Sequence, residues 1–207
     1  MKNEINQFEN IADELANNGF AVCDDFISKK HTDDLLGIMN DEEMKFKKAG
    51  IGTQDNFQLN TSIRGDYIKW IQYKNAAPAT KEYLSKILQL MDYINKTCFL
   101  GLKDFESHYT RYPTGTFYKR HIDQLKFNDH RRLTFILYLN KSWIQGDGGE
   151  LRIYQKNNTF TNIEPVGGRF VCFRSELLEH EVLECKKDRL SITGWMLNEL
   201  ESLKFLK

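Results

Sequence analysis

The sequence has no excess of charge of either sign. Its 207 residues include 29 Lys plus Arg and 29 Asp plus Glu, which gives a formal net charge of +0 at pH 7. Proteins that bind nucleic acid or anionic membranes through their charge normally carry a basic patch or stripe. The balance of charges, without any long run of one sign, therefore predicts neither a nucleic-acid partner nor a membrane partner.

The sequence also has no long apolar run and no closely paired cysteines. The amino terminus, MKNEINQFEN, shows no apolar signal-peptide core, and no stretch approaches the roughly 20 apolar residues that cross a bilayer. The four cysteines are widely spaced, without a C-x-x-C pair: Cys23, Cys98, Cys172 and Cys185. Widely spaced cysteines without a pairing motif are typical of proteins whose thiols stay reduced. We therefore expect a soluble protein in the cytoplasm.

The first 100 residues predict three helices. Apolar residues at helical spacing indicate an amphipathic helix that ends at Asn17-Asn18-Gly19, a second helix over about 32–48 and a third that starts near Pro78. Between the last two lies a long polar stretch, AGIGTQDNFQLNTSIRGDYIKWIQ. Polar stretches of this length are usually lids or binding loops. We expect the helices to support a sheet.

From Asp104 onward the pattern changes to short strands separated by turn residues. The predicted strands are FESHYTRY, RRLTFILYLN, GGELRIY, GGRFVCFR, HEVLE and RLSITGWML. Regularly spaced short strands predict a sandwich or jelly-roll barrel, not a βαβ array. Because no linker or repeat divides the chain, we predict one α+β domain over 1–207, with helical support and a substrate loop in 1–100 and a catalytic core in 104–197.

A histidine and an aspartate stand two positions apart in YKRHIDQLKF. On a strand, residues i and i+2 point to the same face, so His121 and Asp123 can present an imidazole and a carboxylate to one metal ion. An ordinary turn would explain this pair equally well, and a metal needs a third ligand. The candidates are His31, His108, His130 and His180. His180 is preferred because it begins the strand HEVLE.

Arg189 begins the next predicted strand, RLSITGWML, and we interpret HEVLE and RLSITGWML as a hairpin. Alternation along RLSITGW places Arg189, Ser191, Thr193 and Trp195 on one face. Burying an arginine beside two hydroxyls is costly unless an anionic group meets them. Two histidines and one carboxylate are the ligand set of non-haem Fe(II) oxygenases. In such a site the arginine can bind the far carboxylate of a dicarboxylate cosubstrate.

These residues resemble the Fe(II)- and 2-oxoglutarate-dependent dioxygenases of the prolyl hydroxylase type. Five ordered blocks within about 60–197 are similar to the oxygen-sensing prolyl hydroxylases that modify hypoxia-inducible factor, and to their bacterial relatives: IRGDYIKWI, YPTGTFYKRHID, YLNKSW, GGELRIY and RLSITGW. The resemblance implies a double-stranded β-helix (jelly-roll) core with supporting N-terminal helices. The block YPTGTFY is one residue shorter than the animal pattern, and the segment after Asp123 is one longer. These regions choose the substrate.

The resemblance also implies roles for individual residues. The implied iron ligands are His121, Asp123 and His180. Arg189 is implied to bind the C5 carboxylate of 2-oxoglutarate, in a pocket shared with Tyr138, Thr193 and Tyr112. The residues implied to face the substrate peptide, or to order the loop over it, are Tyr118, Arg131, Trp195, Arg64 and Asp66.

The implied reaction is hydroxylation of a prolyl residue in a protein, at C4, with Fe(II), 2-oxoglutarate and O2 and release of succinate and CO2. Ascorbate is the reductant that such an enzyme would use. Related halogenating enzymes replace the carboxylate ligand with a small residue, so Asp123 favours hydroxylation. By analogy with other protein-hydroxylating oxygenases, the protein partner would be a component of translation.

Four alternatives remain open at this point. The same iron site would also serve an oxygenase that acts on a free amino acid or another small molecule, or a nucleic-acid demethylase, against which the zero net charge counts. A jelly-roll binding module without catalysis would have no physical reason to keep His121, Asp123, His180 and Arg189. A zinc hydrolase could use the same three ligands but gives Arg189 no role.

Overall fold

Three helices precede most of the sheet, as the sequence predicts. A computed structural model describes residues 2–41, 44–50, 60, 62–124, 130–156 and 159–200. The helices are α1 (Lys2–Asn18), α2 (Lys29–Met39) and α3 (Pro78–Cys98). Residues 51–59 and 61 of the polar loop predicted as a lid lie outside the described residues, as do 125–129 after the predicted ligand pair. No helix in the described ranges is both long and apolar enough to cross a membrane.

The second helix differs from its predicted span of about 32–48. It begins at Lys29, where the Ser28 side chain accepts a hydrogen bond from the third backbone N–H beyond it, and it ends at Met39. Lys47–Lys48 then forms a short strand that pairs with another strand of the sheet. The prediction was wrong in this region because pairing at the sheet edge satisfies the backbone there better than a longer helix does.

The strands form two antiparallel sheets. They are β1 (Phe20–Cys23), β2 (Lys47–Lys48), β3 (Tyr67–Trp70), β4 (Asp104–Tyr112), β5 (Tyr118–His121), β6 (Arg131–Tyr138), β7 (Leu151–Tyr154), β8 (Phe160–Ile163), β9 (Phe170–Arg174), β10 (His180–Val182) and β11 (Arg189–Leu197). The 7-stranded sheet has the order β1-β9-β6-β11-β4-β3-β2, and the 4-stranded sheet has the order β5-β10-β7-β8. This architecture confirms the predicted jelly-roll core with helical support.

The larger sheet is covered on one face by helices and on the other by the smaller sheet. Leu133, Phe135 and Leu137 of β6 join the core with residues of the three helices. The intervening Ile136 and Tyr138 pack against residues of β7 and β8. Since successive side chains of a strand point to opposite faces, β6 contributes to both cores. Side chains on the inner face of β6, and of its neighbour β11, therefore lie between the two sheets.

Two details of the strand pairing contradict the sequence analysis. β10 pairs with β5 and β7, whereas β11 pairs with β4 and β6. The predicted hairpin of β10 and β11 was therefore wrong, because the six residues between them, 183–188, cross from one sheet to the other. The sequence analysis also missed β8, which pairs with β7. Its four residues, FTNI, are half polar and carry only a weak strand pattern.

Candidate metal and cosubstrate site

The two histidines and the aspartate predicted as ligands lie together. His121 is the last residue of β5 and His180 the first of β10, and the register of these two strands places them directly opposite each other. Asp123 lies two residues beyond the end of β5. His121 Nε2 is 3.3 Å from Asp123 Oδ1, and His180 Nε2 is 3.5 Å from Asp123 Oδ2. All three ligand atoms lie within 4.8 Å of one another, a spacing that fits one metal ion.

Hydrogen bonds to the backbone orient both imidazoles. His121 Nδ1 is 2.7 Å from the Lys119 carbonyl oxygen, and His180 Nδ1 is 3.1 Å from the Leu178 carbonyl oxygen. A carbonyl only accepts, so each Nδ1 carries the proton and each Nε2 keeps its lone pair toward Asp123. Metal-binding histidines are typically held in this way. The donor set and its orientation therefore fit a divalent cation.

Burial sets the charge states of this cluster. Desolvation lowers the pKa of His180 to about 4, although Asp123 opposes the shift. Burial by itself would raise the pKa of Asp123, but the positive charges that His180 and His121 carry when protonated hold it well below its usual range. The site therefore offers a neutral imidazole at His180 and an ionised carboxylate, which are the forms that bind metals.

Arg189 is buried and has no anionic partner among the residues that the structure describes. Its side chain is 1% exposed, and Nη2 donates a hydrogen bond of 3.3 Å to Tyr138 Oη. The guanidinium carbon lies 4.8 Å from the centre of the Tyr138 ring and 5.0 Å from that of Tyr112. Nε has no hydrogen-bond partner, and no carboxylate pairs with Arg189 in the described part of the chain. An unpaired buried cation is costly, so this pocket fits an anionic ligand.

The inner face of β11 has the predicted alternation. Ser191 Oγ lies 3.4 Å from Thr193 Oγ1, so both hydroxyls point to the Arg189 side of the strand. Register places Ser191 beside Tyr138, and Arg189 beside Tyr112 on the other side. The structure therefore brings together all four residues that the resemblance assigns to the cosubstrate pocket: Arg189, Tyr138, Thr193 and Tyr112.

A glycine allows the backbone to approach Arg189 closely. Gly149 has a φ of +70°, and a Cβ at this position would lie 2.9 Å from Cys185 Sγ and 3.1 Å from Arg189 Cδ. Only glycine adopts this backbone conformation without strain and also leaves this space open. The Gly-Gly pair before β7 therefore helps to define the position of Arg189.

Arg64 and Asp66 pair with each other at the edge of the site. Arg64 Nε and Nη2 donate to the two carboxylate oxygens of Asp66 at 2.7 Å and 2.6 Å. The Arg64 guanidinium lies 4.3 Å from the centre of the Tyr118 ring, which in turn stacks on His121 at 3.6 Å between ring centres. Asp66 is fully buried. Asp66 therefore holds the Arg64 guanidinium in place, and Arg64 and Tyr118 lie nearer to the metal ligand His121.

Arg131 and Trp195 form a second cluster beside the ligands. The Arg131 guanidinium lies 3.6 Å from the centre of the Trp195 indole, and it donates twice to Glu106 Oε1, at 3.0 Å and 2.8 Å. Trp195 Nε1 is buried and makes no hydrogen bond with any described residue. The register of β11 and β6 places Trp195 beside Thr134, whose hydroxyl binds Asp123. This cluster therefore borders the metal site.

The other three histidines considered as ligands lie outside the ligand cluster. His31 Nε2 lies 2.7 Å from the Ala79 carbonyl oxygen, and His130 Nε2 lies 2.7 Å from Glu199 Oε2. His108 is buried on the inner face of β4, beside Thr193 in the register. Burial lowers the pKa of His108 to about 4. From the sequence His108 was only a candidate ligand, because its position beside the pocket depends on the register of β4 and β11.

A jelly roll that brings two histidines, one carboxylate and an unpaired buried arginine together defines a non-haem Fe(II) oxygenase with a dicarboxylate cosubstrate. Comparison with known proteins agrees: residues 107–197 match the family model of the 2OG-Fe(II) oxygenase superfamily. A Pseudomonas putida prolyl-4-hydroxylase structure is 35% identical, covers 93% of this chain and 100% of its own, and superposes with a TM-score of 0.85. The chain therefore belongs to the 2OG-Fe(II) oxygenase superfamily, among its prolyl hydroxylase members.

Other relatives share the same architecture. A prolyl hydroxylase from Trichoplax adhaerens, in complex with a hypoxia inducible factor oxygen degradation domain peptide fragment, is 26% identical over 100% of this chain and 94% of its own, with a TM-score of 0.87. Human Egl nine homolog 1 is 32% identical over 86% of this chain and 43% of its own length. The chain thus spans about half the length of the Egl nine homolog 1 proteins. Members of the superfamily use Fe(II), 2-oxoglutarate and O2, for which the described site has matching groups.

Proposed function

We propose that this protein hydroxylates a prolyl residue of a protein substrate, at C4, and converts 2-oxoglutarate and O2 to succinate and CO2. The observation that carries the proposal is the buried Arg189, which has no acidic partner among the described residues and lies on β11, the strand whose Trp195 neighbours the Thr134 that binds Asp123 of the His-Asp-His cluster. A metal site alone would suit many reactions. A fixed cation with a free donor, set back from the ligands, specifically suits a cosubstrate with a second carboxylate.

In this proposal each residue would act from the position that it has in the fold. His121, Asp123 and His180 hold Fe(II). Arg189 and the Tyr138 hydroxyl bind the C5 carboxylate of 2-oxoglutarate, and Tyr112 and Thr193 line the same pocket. When bound, Fe(II) with 2-oxoglutarate and O2 supplies the oxidising power that hydroxylates a C–H bond. The protein contributes orientation and a low-dielectric pocket that strengthens the ionic contact with Arg189.

A protein substrate is supported by the groups beside the ligands. Arg64, Tyr118, Arg131 and Trp195 present aromatic rings and cationic groups at the edge of the site. Surfaces that bind peptides are commonly enriched in such side chains. Relatives named as prolyl hydroxylases also support a protein substrate, and one of them, the Trichoplax adhaerens protein, is in complex with a peptide fragment. A translation component remains the expected protein class by analogy alone.

The compartment and the domain organisation belong to the same proposal. All four cysteines are free thiols, as is usual in a reducing cytoplasm. We propose one dioxygenase domain over 1–207, with helical support and a substrate loop in 1–100 and the catalytic jelly roll in 104–197. Ascorbate would keep its iron reduced. The partner would be neither nucleic acid nor membrane.

The second candidate is an oxygenase of a free amino acid or another small molecule. The same metal and cosubstrate groups would serve it, and a loop can close over a small ligand as well as over a peptide. The binding module and the zinc hydrolase have less support, because both leave the buried charge of Arg189 without a function.

The reaction is tested by loading the protein anaerobically with Fe(II) and 2-oxoglutarate and then admitting air in the presence of lysate from the source organism. Mass spectrometry should find one added oxygen on a proline, and acid hydrolysates should contain trans-4-hydroxyproline. The His180→Ala variant is the control, in which both signals should be absent. Succinate formation without a modified protein would favour the small-molecule candidate. No succinate at all would refute the proposed chemistry.

A further inference from the structure

Two buried hydroxyls form a chain that ends on the Asp123 carboxylate. Thr134 Oγ1 donates to Asp123 Oδ2 at 2.7 Å, and Ser175 Oγ lies 2.8 Å from Thr134 Oγ1. Thr134 is 1% exposed and Ser175 is 0% exposed. Neither residue is among the ligands or the pocket residues described above.

The charge of the Asp123 carboxylate determines which hydroxyl donates in each of these two hydrogen bonds. An ionised carboxylate only accepts hydrogen bonds, so the Thr134 hydroxyl must donate its single proton to Asp123. The oxygen of Thr134 can then only accept, and Ser175 must be the donor to it. The order is therefore Ser175 to Thr134 to Asp123, and each hydroxyl orients the next one.

The two hydroxyls connect the Asp123 carboxylate to the larger sheet. Thr134 lies within β6, between Phe173 of β9 and Trp195 of β11 in the register, while Ser175 directly follows β9. Asp123 lies beyond the end of β5, in a segment without strand pairing. A ligand in such a segment has rotational freedom unless other groups restrain it. The larger sheet supplies that restraint through Thr134.

We propose that Thr134 and Ser175 are positioning residues that hold the Asp123 carboxylate so that it binds the metal through one oxygen. This inference rests on the proposed function. The bond from Thr134 engages a lone pair of Oδ2 and disfavours binding through both oxygens. A carboxylate that binds through one oxygen, with two histidines, leaves three positions of an octahedral ion for the cosubstrate and O2.

Metal affinity without turnover tests this role. Isothermal titration with Mn(II), with no 2-oxoglutarate present, is compared for the natural chain and for Thr134→Val, Thr134→Ser and Ser175→Ala. Losing an outer hydrogen-bond partner of a metal ligand typically weakens metal binding about 10–100-fold. We expect Thr134→Val to show a loss in that range. Thr134→Ser keeps the hydroxyl and should restore binding, and Ser175→Ala should show a smaller, severalfold loss.

A matched variant separates positioning from general packing. Thr80 is also fully buried, and its hydroxyl lies 2.5 Å from Tyr109 Oη, away from the ligands. Thr80→Val should reduce stability about as much as Thr134→Val does, but it should leave Mn(II) affinity unchanged. The visible absorption of bound Co(II) reports its coordination number and geometry. It should change in Thr134→Val and not in Thr80→Val.

The possible outcomes distinguish this inference from the proposed function. If the natural chain binds Mn(II), His180→Ala does not, and Thr134→Val binds as tightly as the natural chain, the positioning role is refuted and the metal site stands. If the natural chain itself fails to bind Mn(II), the proposed function fails as well. If Thr134→Val does not fold, Ser175→Ala tests the inference instead. Unchanged metal binding and an unchanged Co(II) spectrum in that variant would contradict the positioning role of the two hydroxyls.

Discussion

Replacing Arg189 with methionine should have opposite effects on ligand binding and on stability. Methionine keeps an unbranched side chain but removes the charge and all hydrogen-bond donors. A paired fork to a carboxylate has two charge-assisted bonds, each worth about 1.5–3 kcal/mol. Losing both corresponds to about 10²–10⁴-fold weaker binding of 2-oxoglutarate. Metal affinity should be nearly unchanged, because Arg189 contributes no ligand atom.

The effect on the ligand-free protein follows from the burial of Arg189. Its Nε has no hydrogen-bond partner in the described part of the chain, and a buried unsatisfied polar group costs about 1–3 kcal/mol. Methionine removes this cost and the desolvation of the charge. It also removes the contacts with the Tyr112 and Tyr138 rings, worth about 0.5–2 kcal/mol. We therefore expect Arg189→Met to be at least as stable as the natural chain when no ligand is present.

Two measurements check this prediction. Urea unfolding without ligand gives the stability, and calorimetric titration of the Mn(II)-loaded protein gives the 2-oxoglutarate affinity. Saturating 2-oxoglutarate should raise the melting temperature of the natural chain, by mass action, and should leave that of the variant unchanged. Arg111→Met is the matched control, since Arg111 lies on the neighbouring β4 but is exposed and pairs with Asp188. Loss of stability together with equal loss of both affinities would show that Arg189 has a structural role.

Three further predictions concern single positions. His180→Ala should weaken Mn(II) binding by more than the about 10–100-fold expected for an outer partner, whereas unchanged titration would exclude His180 as a ligand. Gly149→Ala should destabilise the chain by about 1–3 kcal/mol in urea unfolding, because of its positive φ and the close approach to Cys185 and Arg189; an unaffected midpoint would contradict this. The pKa of His108 is about 4 in the folded chain and about 6.5 when unfolded, so the unfolded chain takes up the proton first as the pH falls. Its contribution to stability is complete above about pH 6.5 and decreases toward pH 4, by about 2 kcal/mol at pH 5. Urea unfolding of His108→Asn should lack that part of the acid dependence, and an identical pH dependence would refute it.

Several features of the site follow from the sequence because they depend on short-range periods. The side-chain period of two along β11 placed Arg189, Ser191 and Thr193 on one face, and the fold shows Ser191 and Thr193 together there. His121 and Asp123 were paired by the same period, although β5 ends at His121 and Asp123 lies beyond it. His180 was selected from four candidate histidines because it begins the predicted strand HEVLE, and the resemblance of five sequence blocks then implied the same ligand.

Other features depend on long-range packing. That β10 and β11 lie in different sheets could not be predicted from the sequence, since a short connection suits a hairpin and a crossing equally well. The position of His108 beside Thr193, and the bond from Thr134 to Asp123, depend on registers between strands that are far apart along the chain. Such registers are chosen by the burial of both sheet faces at once.

The sequence by itself determined which groups can act as metal ligands and which cation can bind an acid, because side-chain chemistry and strand period are local properties. Only the tertiary structure decided that Arg189 has no acidic partner in the described chain, and that two hydroxyls restrain Asp123. Both are consequences of how the two sheets close on each other. The free energy of that closure is a sum over many distant contacts, none of which a local pattern contains.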